Sequence, residues 1–352
     1  MTEPAGPATS TGRGSADADD ELLDVVGIGS ALVDVVVRAT DDELADLELP
    51  KGSMSLVDLD RAESIHAALG GSVEMSGGSA ANTMAGVASL GGRAGFVGKI
   101  TDDRLGWVFA SEIRASGVTF EPIGGQEAPG TGIGTGRCLV LVTEDAERTM
   151  ATYLGAATTV VPADVPLDLV GRCQVVYLEG YLWDLPPAIE AMRRAISAGH
   201  EANASVALSL SDPFCVSRHQ HEFLDLLRED IDVLFGNEEE LVALFSATSF
   251  DAAIEAAEET GILVAATRGA KGSVVTTPHG PVAVDAAPVE RVLDTTGAGD
   301  LYAAGFLYGL THGADPARCA ELGGLCAGEI IGHFGARPET HLRALAEEAK
   351  LL

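Results

Sequence analysis

A carboxylate beside paired glycines has the clearest chemistry in this chain. Asp294-Thr295-Thr296-Gly297-Ala298-Gly299-Asp300 runs directly into Leu301-Tyr302-Ala303-Ala304-Gly305-Phe306-Leu307. The spacing predicts a loop entering a helix, with Asp300 in the first turn. Free N–H groups at a helix start, together with the positive end of the dipole, form an anion site. Gly297 and Gly299 let the backbone approach that anion closely. Asp300 would take a proton from a hydroxyl that attacks a phosphate. The plainer reading is a helix cap with glycines for the turn, and this motif alone does not decide between the two.

Other polar groups follow strands. Gly236-Asn237-Glu238-Glu239-Glu240 opens a helix. Its acidic residues suit a first helical turn, or Asn237 and Glu240 face one way at i, i+3 and organise Mg²⁺ through water near nucleotide phosphates. Thr267-Arg268-Gly269-Ala270-Lys271-Gly272 is either an ordinary turn or a loop under those phosphates. Ser76-Gly77-Gly78-Ser79-Ala80-Ala81-Asn82 is a second glycine-to-helix entry, with Asn82 on the first turn. Asp34 interrupts the apolar run Leu32-Val33-Asp34-Val35-Val36-Val37, either as a strand-edge charge facing water or as a ligand-binding group. The chain contains no GxxxxGK[ST] loop, and Leu32 stands where a dinucleotide fingerprint after Gly27-Ile28-Gly29 needs glycine. That disfavours a dinucleotide oxidoreductase.

The elements that must position these groups read as an α/β fold. Residues 22–28 are a buried first strand, and the stretch 173–277 repeats strand and helix, with strands that are apolar throughout. This predicts a doubly wound, mostly parallel sheet with helices on both faces. Such sheets bind ligands beyond the carboxyl ends of their strands. Residues 136–143 and 148–154 alternate like a hairpin. With segments near 33–38 and 53–58 they predict a small separate β-sheet formed from 33–38, 53–58 and 136–155. Residues 1–20 read as a disordered tail, and 21–352 as one domain.

The 352 residues carry a net charge of −31, from 53 acidic and 22 basic side chains. A field of that sign argues against nucleic acid and anionic membranes as partners. Five cysteines without a CxxC pair point to reduced thiols and no zinc site. With no long apolar run, a soluble cytoplasmic protein is expected.

Residues 76–82, then Asp103-Arg104-Leu105-Gly106, then 236–240 and 294–300, resemble in order and spacing the signatures of the ribokinase-like, or phosphofructokinase-B, family of carbohydrate and nucleoside kinases. Within that family the chain is most similar to adenosine kinases, through Ser209-Leu210-Ser211-Asp212-Pro213-Phe214, the run 147–157 and Gly332-His333-Phe334-Gly335-Ala336-Arg337-Pro338. Ser30 stands where those enzymes usually carry Asn. The resemblance implies an ATP- and Mg²⁺-dependent kinase for the 5′-hydroxyl of adenosine or a close nucleoside, acting as a monomer or homodimer. A use of K⁺ near Asp294 is left open. Asp300 would be the general base. Amides of Gly297, Ala298 and Gly299 would hold the transferring phosphoryl group. The small sheet would be a lid, and Arg148 on it would reach that group. Ser30, Asp34, Gly77, Gly78, Asn82 and Tyr181 would bind the substrate. Asn237, Glu240, Thr267, Arg268, Gly269, Gly272, Gly297 and Gly299 would bind ATP. The rival is a kinase of ribose, fructose or a related furanose. Met54, Leu56, Leu139, Tyr181 and Trp183 favour an apolar slot for a nucleobase.

Overall fold

The computed structural model describes residues 22–123, 133–145 and 147–352. The tail expected at 1–20 lies outside them. In chain order the strands are β1 (Leu23–Ile28), β2 (Leu32–Arg38), β3 (Met54–Leu56), β4 (Val73–Gly77), β5 (Ala94–Val97), β6 (Thr119–Phe120), β7 (Gly136–Val142), β8 (Arg148–Tyr153), β9 (Cys173–Glu179), β10 (Ser205–Ser209), β11 (Val233–Asn237), β12 (Leu263–Thr267), β13 (Ser273–Val275) and β14 (Val282–Val284). The helices are α1 (Asp41–Asp46), α2 (Leu59–Ala68), α3 (Ser79–Ser89), α4 (Arg104–Ala115), α5 (Leu167–Val170), α6 (Pro186–Glu201), α7 (Pro213–Glu229), α8 (Glu238–Leu244), α9 (Phe250–Thr260), α10 (Ala298–Thr311), α11 (Pro316–Ile330) and α12 (Leu342–Glu348).

The large sheet has the order β14-β13-β12-β11-β10-β9-β1-β5-β6. It is parallel from β12 to β6, with β13 and β14 antiparallel at one edge. Its central strands are buried on both faces because each face is covered by helices. Val25, Tyr177, Ala207 and Phe235 point into one core with α3, α4, α10 and α11. Val26, Val176, Leu208 and Val264 point into the other with α6, α7, α8 and α9. Among the described residues no helix is long and apolar enough to cross a membrane.

The small sheet has the order β3-β8-β7-β2-β4. It contains the expected segments and one more, β4, which pairs antiparallel with β2. The two sheets are joined at β2, which follows β1 after three residues. Along β2 the alternation is strict. Val33, Val35 and Val37 are buried in the core, while Leu32, Asp34 and Val36 face the other way. Burying each valine stabilises the fold by about 1.5–3 kcal/mol. A one-residue slip would send Asp34 into that core and expose all three valines, so the register is strongly fixed. The strand-edge reading of Asp34 is corrected here, since β2 lies inside the sheet between β7 and β4.

Candidate active site

The loop before α10 is held by Asp294. This buried carboxylate accepts hydrogen bonds from the N–H groups of Thr296 (3.0 Å) and Gly335 (3.0 Å) and ion-pairs with Arg148. Gly297 caps the helix in the left-handed region at φ +77°. Ala336 packs against it so closely that a Cβ on Gly297 would lie 2.9 Å from the Ala336 Cβ. Glycine is therefore required there twice over. The Ala298 N–H donates to the Thr295 carbonyl (3.2 Å), which removes it from the expected anion site and corrects that assignment. The N–H groups of Gly299 and Asp300 lie in the first turn, where no carbonyl within the helix can reach them. A Cβ on Gly299 would meet no atom within 4 Å.

Asp300 lies in the first turn of α10, and its carboxylate accepts hydrogen bonds from Ser79 Oγ (2.6 Å) and Asn82 Nδ2 (2.9 Å). Burial raises its pKa, while the hydrogen bonds of Ser79 and Asn82 and the charge of Arg337 oppose the rise. Ser79 and Asn82 stand on the first turn of α3, whose cap is Gly78 at φ +94°. Any side chain on Gly78 would collide with the Ser30 carbonyl. Ser30 itself is buried behind this turn and donates its N–H to Glu179 (3.4 Å), so its side chain does not line the cavity. Gly77 also sits behind the wall, where a Cβ would lie 2.5 Å from the Asp34 carboxyl. Burial pushes the Asp34 pKa up to about 6, against the charges of Arg337 and Arg148.

A cavity of about 400 Å³ brings Asp34, Gly78, Asn82, Gly297, Gly299 and Asp300 together. Asn237, Glu240 and Thr267 line it too, and Leu32, Cys138, Val140, Met150, Tyr181 and Phe235 give it an apolar wall. A cavity of about 610 Å³ near Arg38, Glu144 and Phe334 holds none of these polar groups. Of the five residues expected to form the slot, Tyr181 alone lines the cavity. Leu139 points into the core, because alternation on β7 turns Cys138 and Val140 inward instead. Trp183, 1% exposed, packs against Phe223 (ring centres 5.6 Å apart). Met54 and Leu56 are 43% and 60% exposed on the edge strand β3.

Asn237 and Glu240 form a reciprocal helix cap. Asn237 Oδ1 accepts from the N–H groups of Glu239 and Glu240 (both 2.9 Å), and the Glu240 carboxylate accepts from the Asn237 N–H (2.9 Å) and Nδ2 (2.6 Å). The capping reading of this motif holds, and the capping pair also lines the cavity. Burial pushes the Glu240 pKa up to about 7. Arg268 is not brought to the cavity. It stacks on Phe250 (4.0 Å to the ring centre) and pairs with Glu238 (3.2 Å). Gly269 and Gly272 form a turn at φ +56° and +80°, and a side chain on Gly272 would strike the Val284 carbonyl. Their glycine character thus comes from the turn and from the packing of β14.

Sequence reasoning missed Ser79, Glu179 and Arg337. Glu179 is buried under the β1–β2 turn and also accepts from the Ala80 N–H (3.0 Å), with its pKa pushed up to about 7 by burial. Asp103, at the start of α4, accepts from the N–H groups of Gly106 (2.7 Å) and Thr135 (2.8 Å), so its motif braces the entry to β7.

Residues 52–342 match the model of the pfkB family carbohydrate kinases. The fold is similar to that of the adenosine kinase from Sinorhizobium meliloti, with 46% identity, a TM-score of 0.86, and 93% of this chain and 99% of that one covered. It is similar as well to a probable sugar kinase protein from Rhizobium etli, with 41% identity, a TM-score of 0.86, and 94% and 100% covered. The adenosine kinase of Saccharomyces cerevisiae is 27% identical over 336 residues, which cover 88% of this chain and 95% of that protein. Kinases of this family use ATP, generally with Mg²⁺. The chain belongs to the pfkB family of carbohydrate kinases and is a phosphotransferase that acts on a hydroxyl group.

Proposed function

We propose that the chain transfers the γ-phosphoryl group of ATP to the 5′-hydroxyl of adenosine or a close nucleoside. One observation carries this reading: Asp300, the open face of Gly299 and Asp34 share a single cavity with an apolar wall. The nucleoside hydroxyl lies against Asp300. As its oxygen attacks the γ-phosphorus and the bond to the ADP oxygen breaks, its proton passes to Asp300. A carboxyl raised by burial accepts that proton more readily, and Ser79 and Asn82 fix its direction. The amides at the start of α10 stabilise charge on the transferring group, in a space that any side chain on Gly299 would fill.

Asp34 and Asn82 hold the ribose diol. Asn82 Oδ1 is buried without a hydrogen-bond partner, an acceptor that a sugar hydroxyl would satisfy. Tyr181, Val140 and Met150 cover the base. Arg148, now paired with Asp294, would turn to the γ-phosphate as the small sheet closes as a lid and excludes water. Thr267, Asn237 and Glu240 face the nucleotide. The described residues hold no cluster of three or more His, Cys, Asp or Glu fit for a metal. Mg²⁺ would therefore be held chiefly by phosphate oxygens and water, with Glu240 oriented toward those waters, and would neutralise phosphate charge.

The 41% identical probable sugar kinase favours one rival, a furanose kinase using the same base. A coupled ADP-release assay over nucleosides and furanose sugars separates the two. Adenosine is expected to give the highest kcat/KM, and a higher value for ribose or fructose would overturn the nucleoside reading. Asp300→Asn is expected to lower kcat by about 10³-fold while ATP still binds, and near-normal turnover would remove Asp300 as the base.

A further inference from the structure

The segment Gly332-His333-Phe334-Gly335-Ala336-Arg337-Pro338 has no part in the transfer described above, yet it touches both halves of the site. Gly335 donates its N–H to Asp294 (3.0 Å), and Ala336 is the surface against which Gly297 packs. Arg337 reaches the other way. Its Nε and Nη2 donate to the carbonyl (3.1 Å) and Oγ (3.2 Å) of Ser76, and its Nη1 donates to the Ala81 carbonyl (2.6 Å). Three consecutive residues thus tie the anion loop to the β4–α3 turn. That turn carries Ser79 and Asn82, the two donors to Asp300.

The partners of Arg337 are neutral. Among the described residues no carboxylate forms an ion pair with it, so its charge is held in place without being cancelled. Burial lowers its pKa to about 10, against the opposing pull of Asp34, Asp300 and Glu112. A guanidinium still keeps its proton at any physiological pH. The groups facing Asp300 are Ser79 and Asn82 on α3, Asp34 on β2, Tyr177 and Glu179 on β9, and Tyr181 just beyond it. Arg337 is the cation whose field opposes the effect of burial on Asp300.

We infer that Arg337 is a positioning residue for phosphoryl transfer: without touching substrate, it fixes the β4–α3 turn, with the Asp300 donors Ser79 and Asn82, against the anion loop and holds its positive charge beside the site. This rests on Asp300 being the base. Loss of the charge lets burial raise the Asp300 carboxyl further, so the acid limb of the kcat–pH profile moves to higher pH.

The test measures kcat by ADP release from pH 5 to 9, at saturating ATP and adenosine, for the wild type, Arg337→Met and Arg337→Lys. Arg337→Met is expected to move the acid limb up by about one pH unit. Arg337→Lys keeps the charge and loses the fork, so its limb stays in place while kcat drops about tenfold. A folded Arg337→Met with its limb at the wild-type pH overturns the inference. If the Met variant does not fold, a Lys variant whose limb moves upward overturns it, because retained charge then fails to hold Asp300. Asp300→Asn is run alongside. Near-normal turnover there refutes the base assignment, whereas an inactive Asp300→Asn with an unmoved limb in Arg337→Met refutes only the role of Arg337.

Discussion

Gly299→Ala separates the needs of folding from those of chemistry. Gly299 lies in the first turn of α10, its φ lies outside the left-handed region, and a Cβ there would meet nothing within 4 Å. Nothing in the folded protein resists the methyl group. Alanine is the better helix former by about 0.5–1 kcal/mol, which raises Tm by about 1 °C in a chain of this size. The same methyl group stands where the phosphoryl oxygens must approach the first-turn amides. Displacing one pre-oriented donor from a developing oxyanion costs about 10²–10³-fold, near 2.7–4 kcal/mol. The variant is therefore expected to melt no lower than the wild type and to lose at least about 100-fold in kcat/KM for ATP. Gly297→Ala is the contrast. At φ +77° and 2.9 Å from the Ala336 Cβ it is expected to cost about 1–3 kcal/mol of stability, read from the urea midpoint. A Gly299→Ala enzyme with wild-type kcat/KM would refute the anion-site reasoning, whatever its Tm.

Two further outcomes follow from the site. Glu179, whose pKa burial raises from 4.5 to about 7, binds its proton more tightly folded than unfolded. Its contribution to stability is therefore full below about pH 4.5 and is lost as pH rises through about 7. Glu179→Gln is expected to flatten the fall in stability across that window in urea titrations at several pH values, and an unchanged slope would place the proton elsewhere. Arg268→Ala removes a ring contact and an ion pair at a distance from the cavity, so it is expected to cost about 1 kcal/mol of stability and to change the KM for ATP by less than about threefold.

Much of the fold was legible because α10 and the parallel strands announce themselves locally. Glycines followed by an apolar helix give the first, and unbroken apolar runs between helices give the second. β4 was missed because the alternation in Val-Glu-Met-Ser-Gly spans only two apolar residues, of which Val73 is exposed, and the segment becomes a strand only by pairing with β2. The slot was misassigned for a related reason. β7 is apolar on both faces, so its sequence cannot say that Cys138 and Val140, and not Leu139, face the cavity. Asp300 could be found from its neighbours in sequence, but its partner Ser79 lies 221 residues away. Arg337 sits in a motif that was visible, yet its role exists only through Ser76 and Ala81, more than 250 positions earlier.

The pairing of β2 also governs how the chain can be made. Leu32 is paired with Gly136, so β2 leaves the ribosome long before β7 exists. Until then β4 covers one of its edges and leaves the other bare, beside a face carrying Val33, Val35 and Val37. The small sheet must close late, after much of the chain around it has been synthesised. A product stopped short of residue 136 would keep that bare edge for good, as a ready template for pairing with another copy.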